Sequence, residues 1–151
     1  MDFKNIDDII AYAIEKELEA EIFYLEAASH SDFTGAKQLF EDFAKEENKH
    51  KVMLETLDKD QIKSFVPETV PDLKRSEYIV DMSYEKGMGF ADILRLAMKR
   101  EEKANKLYLD LAQKTDQTDV KKLFEKLAQE ESKHKYGLES MYDDYMAKMG
   151  D

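Results

Sequence analysis

Glu47 with His50, and Glu131 with His134, form two Glu-x-x-His motifs placed 84 positions apart. On a helix, residues three apart project from one side about one turn from each other, so each motif offers an oxygen and a nitrogen to one ion or to two neighbouring ions. The surroundings repeat with them: LFEDFAKEENKHKVMLE at 39–55 returns as LFEKLAQEESKHKYGLE at 123–139. Upstream, AIEKELEAEIFYLEAA at 13–28 lies over AMKREEKANKLYLDLA at 97–112, pairing Glu17 with Glu101 and Tyr24 with Tyr108. Four carboxylates and two imidazoles thus form two copies of one three-residue set, the ligand inventory of a two-metal site. Carboxylates can bridge the ions while an imidazole caps each one. Oxygen-rich coordination with one nitrogen per metal suits iron or manganese better than structural zinc, which prefers thiolates and imidazoles.

Four long segments must position these groups, and each carries apolar residues in steps of three and four. The first stripe is Ile6, Ile10, Ala13, Ala20, Tyr24 and Ala27; the second runs through Phe40, Phe43, Leu54 and Leu57. The third is Phe90, Leu94, Ala97, Ala104, Tyr108 and Leu111, and the fourth Phe124, Leu127, Leu138, Met141 and Tyr145. Each stripe is interrupted where an ionisable residue falls on the seam: Glu17, then Glu47 with His50, then Glu101, then Glu131 with His134. Buried carboxylates must be paired, neutralised or bound to metal. With no Lys or Arg on these seams, cations are the natural solution. Asn5 is placed to cap the first helix, with Asp7 and Asp8 favourable in its first turn.

Short connections near Ser31–Thr34 and Thr115–Thr118 predict two antiparallel helical hairpins. Between them, residues 58–89 hold Pro67, Pro71, Gly87 and Gly89, with a short helix predicted over Leu73–Met82. One long crossover between two hairpins is the connection pattern of ferritin-like four-helix bundles. The 151 residues fit a single all-α domain, 1–151, with the internal repeat 13–55 over 97–139.

A formal charge of −11 argues against nucleic acid or an anionic membrane surface as partners. No run of about 20 apolar residues is present to cross a bilayer, and the acidic N-terminus does not read as a secretion signal. A cytoplasmic location is the expectation. The absence of cysteine excludes disulfides, thiolate ligands and iron–sulfur centres within the chain.

Several residues near the ligands call for other roles. Tyr24 and Tyr108 stand two turns after Glu17 and Glu101, where bulky packing is expected, with a hydrogen bond to a ligand as the alternative. Glu21 and Asn105, one turn after the same glutamates, are candidate auxiliary groups expected to face solvent or the helix edge. Glu46 and Glu130 recur in both copies just off the seam and are expected on the surface, as is His30. The eight methionines are expected to fill gaps in the core.

On Glu17, Glu47-x-x-His50, Glu101 and Glu131-x-x-His134, spanning Ala13 to Leu138, the chain resembles the rubrerythrin-like branch of the ferritin-like diiron-carboxylate proteins. The resemblance implies that these six residues ligate two iron ions, with manganese or zinc as substitutes. It also implies reduction of hydrogen peroxide or dioxygen, with catalysis passing through the same six residues, and a homodimer as the assembly. Two departures qualify it. The additional glutamate of rubrerythrins, one turn after the main ligand of the third helix, is replaced by Ala104. No cysteine-rich rubredoxin domain accompanies the bundle either, so electrons are expected from a separate donor protein. Iron handling, as ferroxidase, store or buffer, is one alternative function; a bundle that binds metal only for stability is another.

Overall fold

The structure, a computed structural model, describes residues 3–31, 34–63, 75–78, 80 and 87–149. Four long helices dominate it: α1 (Ile6–Ser29), α2 (Thr34–Glu55), α4 (Phe90–Ala112) and α5 (Thr118–Met149), with a single turn of helix, α3 (Lys59–Lys63), following α2. No strand occurs among the described residues. The repeat extends to the element boundaries, since α1 and α4 start 84 residues apart, as α2 and α5 do. Only α5 outruns its twin, continuing ten residues beyond the position equivalent to the end of α2.

Local chemistry starts α1 as expected. Asn5 is extended and its side chain accepts a 2.8 Å hydrogen bond from the Asp8 amide, while the Asp8 carboxylate accepts one from the Lys4 amide at 3.2 Å. The two acids of the first turn sit at the positive end of the helix dipole. In the crossover, Arg75–Tyr78 forms a 3₁₀ turn where a helix over Leu73–Met82 was expected; residues 73, 74, 79, 81 and 82 lie outside the described residues, as do Pro67 and Pro71. This turn is fastened to α4. Tyr78 is buried, its hydroxyl donates to Asp110 at 2.7 Å, and Glu77 pairs with Lys106 at 3.1 Å.

Packing joins α1 to α2 and α4 to α5 as hairpins. The core then divides into two apolar clusters at opposite ends of the bundle. One gathers Ile9, Ile10 and Ala13 of α1, Leu54 of α2, Leu107 and Leu111 of α4, and Phe124 and Leu127 of α5. The other gathers Phe23 and Ala27, Phe40 and Phe43, Leu94 and Ala97, and Leu138. The start of α1 therefore meets the ends of α2 and α4, which makes α2 and α4 parallel and requires the long crossover. Phe40 and Phe124 are fully buried and stack on Tyr24 and Tyr108 with ring centroids 6.0 Å apart in each case. Burial of each phenylalanine contributes about 1.5–3 kcal/mol. None of the described helices is long and apolar enough to cross a membrane.

Candidate metal centre

The six predicted ligands fall in the gap between the two apolar clusters. Along each helix the order is the same: Ala13, Glu17, Phe23 in α1; Ala44, Glu47 and His50, Leu54 in α2; Ala97, Glu101, Leu107 in α4; Ala128, Glu131 and His134, Leu138 in α5. All six side chains are at least 97% buried. Flanking apolar layers exclude water and strengthen every electrostatic interaction between them.

Two sets of four ligand atoms lie within 4.8 Å of one another: Glu17, Glu47, His50 and Glu131 in one, Glu47, Glu101, Glu131 and His134 in the other. Glu47 and Glu131 belong to both sets and would be shared by two cations. Glu17 with His50 and Glu101 with His134 are terminal, each pair coming from one hairpin. The Nδ1 atoms look inward, His50 Nδ1 lying 2.8 Å from Glu131 Oε1 and 3.6 Å from Glu17 Oε2, and His134 Nδ1 lying 3.0 Å from Glu47 Oε1 and 3.5 Å from Glu101 Oε1.

The donor set fits two cations on a specific count. Glu17 Oε2, Glu47 Oε1, His50 Nδ1, Glu101 Oε2, Glu131 Oε1 and His134 Nδ1, one atom from each residue, are buried without a hydrogen-bond partner. Buried polar atoms are rarely left unsatisfied. Six of them converging on one place, all oxygen or imidazole nitrogen, define a cavity for hard or borderline divalent metals.

Electrostatics point the same way. Burial, followed by the charges of Glu101 and Glu17, holds the Glu47 carboxyl well above its usual range. Glu131 is pushed up likewise, by burial and then by Glu101, Glu47 and Glu17. For Glu101 burial acts upward, but the proximity of Glu131 and His134, the charge of His134 and the hydrogen bond from Tyr24 prevail and lower it. His134 loses against burial yet is raised to about 11 by Glu101 and Glu47, and His50 is raised against burial by Glu17 and Glu130. Protons thus occupy the centre in the absence of cations.

The outer contacts cross from one half to the other. His50 Nε2–H donates to Glu130 of α5 at 2.5 Å, and His134 Nε2–H donates to Glu46 of α2. Glu46 and Glu130 were expected on the surface; they are indeed partly exposed, at 47% and 31%, yet their carboxylates orient the buried imidazoles. A residue one position off the seam leans toward the neighbouring helix, and recurrence in both copies was the available signal. With Nε2 held protonated by these carboxylates, Nδ1, facing the ligand cluster, is the nitrogen that would give up its proton to a cation. Replacing Glu130 by Gln is expected to weaken cation binding by about 10–100-fold. Competition against a fluorescent chelator measures this, and unchanged affinity would refute the orienting role.

The tyrosines also cross over. Tyr24 donates its hydroxyl hydrogen to Glu101, and Tyr108 donates to Glu17, so both the packing and the hydrogen-bond expectations hold. Burial, with the charges of Glu101 and Glu47 for Tyr24 and of Glu17 and Glu131 for Tyr108, raises both phenols well above their ordinary range. Glu21 and Asn105 do not reach the centre. Glu21 accepts from Asn48 at 3.3 Å, and Asn105 donates to the Ala128 carbonyl and the Ser132 hydroxyl, tying each hairpin together. His30 is exposed at the C-cap of α1.

One contact breaks the repeat. Phe43 stacks on His134 with centroids 4.1 Å apart and rings 20° from parallel, whereas Leu127 occupies the equivalent position in the other half. Gly137 faces this ring, and a Cβ there would stand 3.5 Å from the Phe43 Cζ.

A sequence model of the rubrerythrin family matches residues 8–86 and 92–149. Two solved structures share the fold. One, from Thermotoga maritima and described as a ferritin-like diiron-carboxylate protein, is 22% identical with a TM-score of 0.78, covering 96% of this chain and 99% of that one. The other, a hypothetical protein from Pyrococcus furiosus, is 26% identical with a TM-score of 0.73, covering 93% and 89%. No curated protein matches the sequence significantly.

Proposed function

The chain belongs to the rubrerythrin family, and from that footing we propose that it is a diiron oxidoreductase reducing hydrogen peroxide or dioxygen, with electrons drawn from a separate donor protein. The observation that carries this reading is the convergence of six unpartnered buried ligand atoms, with Glu47 and Glu131 common to both sets. Iron is the metal this reading assigns. Two bound iron ions would supply the electrons and the Lewis acidity that O–O cleavage needs.

The chain's own residues do the remaining work. Glu47 and Glu131, common to both ligand sets, would offer carboxylate oxygen to both cations. Glu46 and Glu130 keep Nδ1 of the histidines turned inward. Tyr24 and Tyr108 keep their protons and anchor the terminal carboxylates of the opposite hairpin. The apolar clusters above and below keep bulk water out. A cavity between α1 and α4 reaches Glu17, Glu47, Glu101 and Glu131 from the side and offers a path for a small oxidant.

Anaerobic titration of metal-free protein with ferrous ion, followed by stoichiometric peroxide, tests the proposal. Uptake of two irons per chain and prompt growth of the ferric charge-transfer absorption are expected. Iron that binds but stays ferrous under peroxide would sink it.

A further inference from the structure

The cavity between α1 and α4 has about 200 Å³ of free space, room for roughly six waters at liquid density. Hydrogen peroxide or dioxygen would fill only a fraction of it. Its inner end is made by the four buried glutamates, and its walls by small or apolar residues, among them Ala20, Ala104, Leu107 and Val80. Ala20 and Ala104 are repeat partners on facing helices, so the space between them is set by two methyl groups where larger side chains would close it.

The charges at its mouth are not symmetric. Lys16 and Arg100 are repeat partners, and so are Glu19 and Lys103. Lys16 is neutralised by Glu19 at 3.0 Å. Arg100 has Lys103 where that acid would be, and neither forms an ion pair among the described residues. The guanidinium of Arg100 lies against the Phe23 ring, 5.1 Å from its centroid, and its Nε is buried without a hydrogen-bond partner. Arg100 is partly exposed, but its buried Nε–H is left unpaired on the lining of a partly apolar space, a place for an anion.

We propose that this cavity binds a small organic monocarboxylate, of about the size of propionate, with its carboxylate on Arg100 and its alkyl part between Ala20 and Ala104. The ligand needs one anionic end and one apolar end, because the lining has one of each; this disfavours inorganic oxyanions. Occupancy is tied to the metals and rests on the metal-binding reading above. Without cations the acidic and cationic side chains of the lining leave no positive excess to draw an anion in. Two divalent cations at its inner end supply that excess. Carboxylate binding and metal binding are then coupled, each strengthening the other by the same factor.

The test uses zinc-loaded protein, which is redox-inert, with zinc content measured first and propionate then titrated by calorimetry against chloride at matched ionic strength. Saturable propionate binding to zinc-loaded protein is expected, with none to metal-free protein and weaker binding of phosphate. Arg100→Gln should weaken it roughly tenfold or more, the loss of a charge-assisted hydrogen bond. Ala104→Leu should remove propionate binding while sparing formate, a change in chain-length preference that a general loss of folding would not produce. Helicity and zinc uptake report folding of each variant, and Ala20→Leu replaces Ala104→Leu if the latter fails on both. Full zinc uptake without saturable propionate binding overturns this proposal alone, as does undiminished binding in Arg100→Gln. Failure to take up zinc overturns the metal-centre reading and this proposal with it.

Discussion

Replacing Glu131 by leucine is expected to abolish uptake of both cations and, at the same time, to make the metal-free protein more stable. The first effect follows from geometry, since Glu131 belongs to both ligand sets and its removal damages both positions at once. Glu17→Leu, by contrast, touches one set only and should leave one cation bound. The second effect follows from burial. Glu131 is 1% exposed, its carboxyl is pushed well above the usual range by desolvation and by Glu101, Glu47 and Glu17, and one of its oxygens has no partner. A protonated, incompletely hydrogen-bonded carboxyl at this depth carries a desolvation cost of about 1–3 kcal/mol that leucine does not. Elemental analysis and urea denaturation in chelator measure the two halves of the prediction. A variant that still holds two metals, or a metal-free variant less stable than the parent, would refute it.

The second large effect is a reversal of pH dependence on metal binding. In the metal-free protein Glu47, Glu131, His50 and His134 all have folded values above their ordinary ones. Groups raised on folding stabilise fully below their unfolded values, near 4.5 for Glu and 6.5 for His, and lose that contribution as pH rises through the folded values; for His134 the loss runs from 6.5 to about 11. Glu101, lowered on folding, acts oppositely and costs stability only as pH falls below its ordinary range. Metal-free protein should therefore weaken from about pH 4.5 upward as the glutamates take effect, and more steeply above about 6.5 where the histidines join them, by about 1.4 kcal/mol per pH unit for each proton of difference. Cations require deprotonated ligands, so their stabilising effect grows over the same interval. Melting scans from pH 5.5 to 9, with and without metal, should diverge steadily. Metal-free melting temperatures that stay level or rise across that range would contradict the charge arrangement.

The convergence of the six inward side chains and the bundle that carries them were legible because both are written in helical periodicity. A seam residue such as Glu17 or Glu101 has no choice of direction once Ala13, Ala20, Ala97 and Ala104 fix the inward face. Residues beside the seam are harder. Glu46 and Glu130 point to solvent or to the next helix according to the angle and separation of two helices, which a one-dimensional pattern does not contain. The same holds for the crossing of Tyr24 to Glu101 and Tyr108 to Glu17, where the repeat supplies both partners but not the pairing between halves. The 3₁₀ turn at Arg75–Tyr78 was blurred for another reason: its place is set by Tyr78 reaching Asp110 and Glu77 reaching Lys106, contacts between distant parts of the chain.

The stacking of Phe43 on His134, accommodated by Gly137, has a consequence for the order of filling. A perfect duplication would give two equivalent positions that fill together. Here one imidazole is clamped by an aromatic face, while among the described residues His50 has no ring contact besides His134 itself, 6.2 Å away. The clamped imidazole loses less freedom on taking a cation, so the His134 side is expected to fill first and the His50 side to exchange faster in a stepwise metal titration. Two positions that differed in this way would fill one after the other, an inequality that the nearly symmetric sequence conceals.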